Sequence, residues 1–297
     1  MTSPSLDHFR TFVTVYRAGS LTEAASLLGM SQPTATAHIH ALETQLGYSL
    51  FTRTRSGVIP TQKAAQLARE VAGHIDALDD ISSLGTENES TARTVYIGGP
   101  AELLTTVVLP RLETVSRRAA SQINVTFGLA AELLEGLRAG RLDVVISSIR
   151  PRVQGVESTP LFDEIFALVG APRWAGVDHA LESLVNIPVV VFDHDLPIVR
   201  RYWRTVFQQG PSELSVAAVI PDLRGIREAV VSGIGMSVLP LYLIAEELRA
   251  GTLVVLFEPV MPPLNTVYLA VRAGESVRNA DVISQLRQTI EWAGEIT

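Results

Sequence analysis

The sequence of 297 residues contains no cysteine and only one lysine, Lys63. The absence of cysteine excludes disulfide bonds, thiolate metal sites and a cysteine nucleophile. No apolar run reaches the ~18 residues of a membrane-spanning helix, and the N-terminus lacks the apolar core of a signal peptide. Apolar residues make up 47% and charged residues 19%, which is typical of a folded chain. We therefore expect a cytoplasmic protein of two or three domains.

Patterns for catalysis and metal binding are also missing. No Gly-x-Ser-x-Gly motif occurs, so we do not expect Asp193 and His194 to belong to a hydrolase triad. His38 and His40 are two residues apart, and on a helix they point to different faces. Gly233-Ile234-Gly235 follows a predicted helix and precedes a strand, which reverses the order of a dinucleotide-binding motif and indicates a structural turn. The sequence predicts neither an enzyme nor a cofactor.

Residues 21–47 predict two short helices joined by a tight turn. In residues 21–28 apolar side chains recur at three- and four-residue intervals, and Gly29 ends this helix. Ser31 can cap a second helix, whose first turn tolerates Pro33. The outer face of the second helix bears small polar side chains. On these residues alone the pattern fits a helix-turn-helix and an ordinary helical hairpin about equally well.

The flanking residues favour the helix-turn-helix. An amphipathic helix precedes it, and residues 52–61 predict a short β-hairpin with two arginines, a wing beside a recognition helix. With these flanks the chain resembles the LysR-type transcriptional regulators. The matching residues are Leu6, Phe9, Gly19-Ser20-Leu21, Ala24-Ala25, Leu28, Ser31-Gln32-Pro33, Ile39, Leu42-Glu43, Leu46-Gly47, Leu50-Phe51, Arg53 and Thr61. Thr36 replaces the family's usual serine and Lys63-Ala64 a common alanine-glycine pair, but neither departure alters the fold that the resemblance implies.

The resemblance implies binding to double-stranded promoter or operator DNA. The expected DNA-binding residues are Ser31, Gln32, Thr34, Thr36 and His38 on the recognition helix, with Arg53 and Arg55 on the wing. A net charge of -7 is unfavourable for contact with phosphates, although basic residues outnumber acidic ones in residues 1–65. Because the recognition helix has no lysine or arginine, affinity should come from the wing arginines, helix N-termini and two copies of the chain.

Residues 62–84 predict one long helix with an apolar stripe. The sequence offers no obvious neighbouring element to cover this stripe, so we expect a helix from a second copy to do so, giving a homodimer. The alternative is that the helix packs on its own DNA-binding domain. The resemblance further suggests a homotetramer. Residues 85–91 are polar and predict a linker.

From residue 93 onward, aliphatic strands alternate with helices, which predicts an α/β fold with parallel strands covered on both faces. Residues 133–147 resemble the corresponding part of LysR-type effector domains. The resemblance implies a two-lobed domain of periplasmic-binding-protein type. The expected domains are therefore a winged helix-turn-helix at 1–61, a dimerising helix and linker at 62–90, and an effector domain at 91–297. Within the effector domain, lobe one is expected at 91–163 plus 264–297 and lobe two at 164–263.

Ligands of open α/β sheets bind where strands end and helices begin. The effector-binding residues expected from this rule are Gly99, Pro100, Ala101, Glu102, Gly128, Leu129, Ser147, Ser148, Asp193, His194, Pro221 and Asp222. Glu102 at a helix N-terminus suits the helix dipole but repels an anion. We therefore expect uncharged, zwitterionic or amine-bearing ligands to bind better than simple carboxylates.

These features together predict a sequence-specific transcriptional regulator whose activity at a promoter is modulated by a small molecule bound between two lobes. The second half alone would also fit a small-molecule receptor module of solute-receptor type. The N-terminal helix-turn-helix argues against that alternative. The sequence leaves open the effector, the operator, activation or repression, and the choice of dimer or tetramer.

Overall fold

The computed structural model describes residues 4–54, 57–83, 93–119, 121–177, 181–211, 214–277 and 279–294. Its N-terminal part is a winged helix-turn-helix, as predicted. The elements are α1 (Leu6–Ala18), α2 (Leu21–Leu27), α3 (Gln32–Leu46), the antiparallel wing strands β1 (Phe51–Thr54) and β2 (Gly57–Pro60), and the long helix α4 (Gln62–Ser83).

Serines and glycines set the ends of the first three helices. The hydroxyls of Ser5, Ser20 and Ser31 each accept a hydrogen bond from a backbone N–H in the first turn that follows. Gly19 and Gly47 end α1 and α3 in the left-handed conformation, with φ of 65° and 78°. These caps satisfy backbone groups that a helix terminus leaves without an intrahelical partner. The helix-turn-helix is therefore specified by local residues.

The wing is fixed to the helices at both of its strands. Glu43 on α3 accepts hydrogen bonds from the backbone N–H of Leu50 at 2.7 Å and of Phe51 at 3.3 Å. On the other strand, a Cβ atom at Gly57 would lie 2.5 Å from the carbonyl oxygen of Gly19, so only glycine allows this approach. The position of the wing beside α3 is thus set by specific contacts.

The C-terminal part alternates strands and helices. Its first elements are β3 (Arg93–Gly99), α5 (Ala101–Leu103), α6 (Leu112–Arg118), β4 (Ser121–Phe127), α7 (Ala130–Arg138), β5 (Val144–Ser147) and β6 (Val156–Gly170). They are followed by α8 (Leu181–Leu184), β7 (Val189–Val191), α9 (Pro197–Val206), β8 (Val216–Val219), α10 (Leu223–Val231) and β9 (Met236–Pro240). The last are α11 (Leu241–Ala250), β10 (Val254–Phe257), β11 (Leu264–Arg272) and α12 (Ala280–Gly294).

The helical segment that follows β3 is interrupted near Pro110. Between α5 and α6 lie a π-helical turn, Leu104–Val108, and a 3-10 turn, Leu109–Arg111. Proline has no N–H to donate and its ring crowds the preceding turn, so a regular α-helix cannot continue through it.

The described strands of the C-terminal part form one mixed sheet in the order β4-β3-β5-β11-β6-β9-β7-β8, with β10 paired to β6. Strand β3 is parallel to β4 and β5, and β7 is parallel to β8 and β9. The prediction of parallel strands is therefore correct at the two ends of the sheet and wrong in the middle. There β6, β9, β10 and β11 pair antiparallel, because strands that return from one half to the other run against their neighbours.

The C-terminal part is divided by a change of partner along β6, a strand of 15 residues. Up to Ile165, β6 pairs with β11, and from Phe166 onward it pairs with β9. We call the half built on β3, β4 and β5 lobe one, and the half built on β7, β8 and β9 lobe two. The point where β6 changes partner is thus the crossover between the lobes.

Helix α4 has two apolar stripes. One is buried in the core of the chain's own N-terminal domain and consists of Ala64, Ala68, Ala72 and Ile75. Helix α1 and Ala139, which follows α7, belong to the same core. The expectation that the chain offers no neighbour for this helix was therefore wrong. The second stripe remains partly accessible: Leu67 and Val71 are half-buried, and Leu78 is exposed.

Arg17 joins the N-terminal domain to lobe one. Its guanidinium donates hydrogen bonds to both carboxylate oxygens of Asp76 on α4, at 2.8 and 2.7 Å, and to the carbonyl of Gly140 at 3.0 Å. Asp143, at the start of β5, lies 4.0 Å away. The pKa of Arg17 remains above its ordinary value, because these carboxylates more than offset the opposing effect of burial. The contact is a buried, charge-assisted one between domains.

Candidate functional site

The N-terminal turns of α3 present a polar, exposed surface. Ser31, Gln32 and Thr34 are exposed and Thr36 is half-buried. The hydroxyls of Ser31 and Thr34 are 2.8 Å apart, and the Gln32 amide donates to the hydroxyl of Thr36 at 3.0 Å. These groups combine hydrogen-bonding side chains with a helix N-terminus, the combination that base edges and phosphates require.

His38 is turned away from this surface. Its Nδ1 lies 2.9 Å from the hydroxyl of Thr11 on α1, and that hydroxyl donates its proton to the carbonyl of Asp7 at 2.8 Å. The imidazole Nδ1 must therefore be the donor to Thr11. The ring of His8 packs 5.1 Å from that of His38. His38 thus supports the contact between α1 and α3, whereas His40, two residues later, is exposed.

Some basic side chains of the N-terminal domain form ion pairs within the domain, and another is exposed on the wing. Arg10 forms ion pairs with Asp7 at 3.0 Å and Asp79 at 2.7 Å, and Arg17 is buried against Asp76. Arg53 is exposed on β1. Arg55, the other predicted wing cation, lies outside the described residues. Part of the positive charge counted in residues 1–65 is therefore used for internal pairing and not for binding phosphate.

Two adjoining cavities lie between the lobes. The outer cavity has a volume of about 560 Å³ and the inner cavity about 390 Å³. The residues that line both are Glu102, Ser148, Pro197, Ile198 and Leu223. The two cavities therefore form one continuous cleft, with walls from both lobes, of the size that small-molecule sites have.

The strand-end rule located most of the cleft. The predicted residues that line it are Pro100, Ala101, Glu102, Gly128, Leu129, Ser148, Asp193, Pro221 and Asp222. Three others lie beside it without lining it. Gly99 and Ser147 are buried, and the Ser147 hydroxyl donates to the carbonyl of Ile149 at 2.7 Å. His194 is exposed outside the cleft.

Sequence reasoning missed the polar groups of the inner cavity. Glu164 is 6% exposed and accepts a hydrogen bond at 2.8 Å from the side-chain amide of Asn265, which also donates to the carbonyl of Ser148 at 2.8 Å. Arg201 donates to the amide oxygen of Asn265 at 3.1 Å. Glu164 and Asn265 face each other across β6 and β11, one residue before β6 changes partner. The only sequence signal was an acidic residue beside an apolar strand.

The acidic groups of the cleft are perturbed by burial. Burial, followed by the negative charge of Asp222, raises the pKa of Glu102 above its ordinary value. Burial raises the pKa of Glu164 to about 7, and the charge of Glu102 adds to this effect. The pKa of Tyr242 is raised well above its ordinary value by burial and by these two carboxyl groups. The inner cavity therefore holds a carboxyl group that titrates near neutral pH.

A contact between the lobes borders the outer cavity. The guanidinium of Arg224, on α10 of lobe two, lies 5.7 Å from the ring centre of Phe127, at the end of β4 in lobe one. The same guanidinium is 2.6 Å from Asp222, and this pairing lowers the pKa of Asp222. The two lobes thus meet through a cation–π contact at the side of the cleft.

The glycine pair at 233 and 235 serves the backbone, as interpreted from the sequence. A Cβ atom at Gly235 would lie 2.1 Å from the carbonyl oxygen of Pro188, and Gly233 has a φ of 90°. Within the described ranges, no group of three or more His, Asp or Glu side chains could hold a metal ion. Among those same residues, no helix is long and apolar enough to cross a membrane.

In the comparison with known proteins, two family models match separate parts of the chain. Residues 6–65 match the family model of the bacterial regulatory helix-turn-helix proteins of the lysR family, and residues 88–291 match that of the LysR substrate binding domain. The chain is 46% identical to the HTH-type transcriptional regulator AbaB of Streptomyces antibioticus, over 89% of this chain and 91% of that protein. It is 27% identical to a probable hydrogen peroxide-inducible genes activator of Streptomyces viridosporus, over 91% and 89%.

Solved structures share the whole architecture. Full-length OxyR from Pseudomonas aeruginosa aligns with a TM-score of 0.73 at 23% identity, covering 97% of this chain and 98% of OxyR. ArgP from Mycobacterium tuberculosis aligns with a TM-score of 0.72 at 18% identity, covering 97% of each chain. At these identities the likeness concerns the fold alone.

Proposed function

This chain belongs to the LysR-type transcriptional regulators, and we propose that it binds its operator through the exposed N-terminal turns of α3 and the wing. It is a DNA-binding regulator with an effector domain, which agrees with the regulator interpretation of the sequence and not with a stand-alone solute receptor. What remains to be assigned is the role of individual residues.

The observation that supports this DNA-binding surface is the exposed polar group Ser31, Gln32 and Thr34 at a capped helix N-terminus. In our proposal Gln32, Thr34 and Thr36 contact the major groove, Ser31 contacts a phosphate, and Arg53 and Arg55 contact phosphates or the minor groove. His38, which the sequence suggested as a groove contact, is given a supporting role because it hydrogen-bonds Thr11.

The test is a gel-shift titration of the purified chain on its own promoter region. Gln32→Ala should weaken binding to the cognate site by roughly 1–3 kcal/mol and leave binding to unrelated DNA unchanged, because it removes a base contact. Gln45→Ala is the matched control, since Gln45 is exposed near the other end of α3. Equal affinities of wild type and Gln32→Ala for the cognate site would contradict the proposed surface.

For the effector we propose the continuous cleft between the lobes. A ligand that touches Ala101 and Ser148 from lobe one and Pro221 from lobe two would favour the closed arrangement of the lobes, because it contacts both of them only there.

The domain limits 1–61, 62–90 and 91–297, with the lobes meeting near residues 163 and 264, remain our proposal. So do cytoplasmic localisation and the absence of catalysis. The curated relatives of known type are regulators and not enzymes.

For assembly we propose that the second stripe of α4 pairs with a second copy. Leu67, Val71 and Leu78 recur on one face at four- and seven-residue spacing and are not fully covered within the chain. Replacing Leu67 and Leu78 by Asp should release smaller species in sedimentation. The wild-type chain provides the reference, and a wild-type monomer at micromolar concentration would contradict this proposal.

A further inference from the structure

We propose that the inner cavity takes an organic cation, a primary amine with an apolar body, whose ammonium group lies between Glu102 and Glu164. The inference rests on the proposed function, in which the cleft between the lobes is the effector site. It adds the chemical class of the ligand.

The charges around the inner cavity favour a cation. Two of its lining residues are acidic, Glu102 and Glu164, and one is basic, Arg201. The guanidinium of Arg201 is held by the amide oxygen of Asn265 and the carbonyl of Leu264. Two of its five N–H donors are therefore used within the protein, and the carboxyl groups of Glu102 and Glu164 outnumber this one guanidinium in the lining of the cavity. A carboxylate ligand would have to enter beside two acidic side chains and would meet only one basic side chain, which already bonds to Asn265 and Leu264.

The rest of the lining suits an apolar body. It includes Ile149, Phe166, Ile198, Tyr202, Leu223 and Val238. These side chains can remove a hydrocarbon or aromatic group from water, while the carboxyl groups fix the orientation of its charged end. The geometry therefore separates a charged end from an apolar end.

Binding of a cation should be linked to a proton. Without ligand, part of Glu164 is protonated near neutral pH, since burial raises its pKa to about 7. The charged or titratable groups that face it are Glu102 on α5, Tyr242 on α11 and Arg201 on α9, with the Asn265 amide on β11. An ammonium group favours the ionised carboxyl, so binding should release a proton and tighten as pH rises.

Three probes with one apolar body and different charge test the class: 3-phenylpropylamine, 3-phenylpropanol and 3-phenylpropanoate. Their affinities for the full chain are measured by calorimetry at pH 6, 7 and 8. The amine should bind at least about tenfold more tightly than the alcohol, and the carboxylate most weakly. Its affinity should rise by about tenfold from pH 6 to pH 8, because the ionised fraction of Glu164 rises by about that factor.

Substitutions locate the effect. Glu164→Gln should reduce the affinity for the amine by at least about tenfold, leave that for the alcohol within about twofold, and abolish the pH dependence. Glu157→Gln is the matched control, the same change at an exposed position of β6 that does not line the cavity. A far-ultraviolet circular dichroism spectrum that matches the wild type shows that each variant is folded.

The outcomes separate this inference from the proposed function. A carboxylate or alcohol that binds as tightly as the amine overturns the cation class, and so does a complete absence of binding by all three probes. Ser148→Trp fills the cleft from a residue that lines both cavities. If it abolishes binding of the tightest probe, the cleft stands as the effector site whatever the charge preference. If that probe binds Ser148→Trp unchanged, the proposed cleft is wrong as well.

Discussion

Two buried charged groups in this molecule are held in opposite ways. Arg17, between the N-terminal domain and lobe one, is paired with the carboxylate of Asp76 and with a backbone carbonyl. Glu164, at the crossover between the lobes, is held by the neutral amide of Asn265 and lies near a second acid, Glu102. Burial is similar, but Arg17 is paired directly with a carboxylate, whereas the negative charge of Glu164 is compensated only in part by Arg201.

The different surroundings of Arg17 and Glu164 give these two groups different roles. A charge that is fully compensated stays fixed over the physiological pH range, so Arg17 can serve only as a structural link between domains. A buried carboxyl group that is compensated only in part keeps its proton to near neutral pH, so its protonation state can respond to a ligand. The Arg17–Asp76 pair thus fixes a contact between domains, whereas Glu164 forms a site whose protonation a bound cation can change.

The largest effect is expected from breaking the compensated pair. Arg17→Met would remove the guanidinium from Asp76, which is 6% exposed, and from the neighbourhood of Asp143, which is 2% exposed. Leaving buried carboxylates without this cation should cost about 3–5 kcal/mol of unfolding free energy. Chemical denaturation followed by circular dichroism measures the loss.

The control for Arg17 is an ion pair near the surface. Arg10→Met also removes an arginine that bridges α1 to α4, but the side chains of Arg10 and Asp79 are 30% and 43% exposed. Solvent screening should keep its cost to about 1 kcal/mol or less. If the two variants lose the same stability, burial does not distinguish the two pairs.

The next largest effect is expected at Glu164, whose contribution to the free energy of unfolding depends on pH. The pKa of Glu164 is about 7 in the folded chain against an ordinary value of 4.5, so its contribution to the free energy of unfolding is fully present below pH 4.5 and is lost as pH rises through 7. Glu164→Gln removes the ionisable group, so at pH 8 the variant should be more stable than wild type by up to about 3 kcal/mol. Thermal denaturation at pH 5 and pH 8 measures this.

The stability advantage of Glu164→Gln over the wild type should be smaller at pH 5, because the wild-type carboxyl group is already protonated there. Glu157→Gln, on the same strand but exposed, should show no such pH-dependent gain. A Glu164→Gln variant less stable than wild type at both pH values would show that the carboxyl group is stabilised in its ionised form.

Local signals account for what the sequence predicted well. Ser31, Pro33 and Gly47 define α3 by capping and turn rules that act within a few residues, and the helix-turn-helix followed from them. Residues such as Ala101 and Pro221 were found because they follow strands. Ser147 does not line the cleft, because neighbouring residues of a strand point to opposite faces and it is Ser148 that faces the cleft.

The inner cavity could not be predicted in this way. Glu164 and Asn265 are 101 residues apart and meet only because β6 and β11 pair at the crossover. Pairing between distant strands depends on the whole topology, which periodicity does not specify. The supporting role that we propose for His38 could not be predicted for a similar reason, because its partner Thr11 lies on α1 and not on its own helix.

The smallest effect on free energy is expected at the molecular surface, where charge is neither buried nor compensated. Arg53, exposed on the wing, should contribute through contact with a DNA phosphate and the release of a counterion. Arg53→Ala should leave the unfolding free energy unchanged within about 0.5 kcal/mol. It should weaken binding to cognate and unrelated DNA alike and reduce the slope of log affinity against log salt by about 1 for each protomer bound.

A salt titration of gel-shift affinity measures that slope. Arg117→Ala is the matched control, because Arg117 is an exposed arginine on α6 of lobe one, far along the chain from the wing. If Arg53→Ala and Arg117→Ala change the slope equally, the effect reflects net charge and not a phosphate contact. If Arg53→Ala instead weakens only binding to the cognate site, Arg53 contacts bases. The proposed phosphate contact of Arg53 is then wrong.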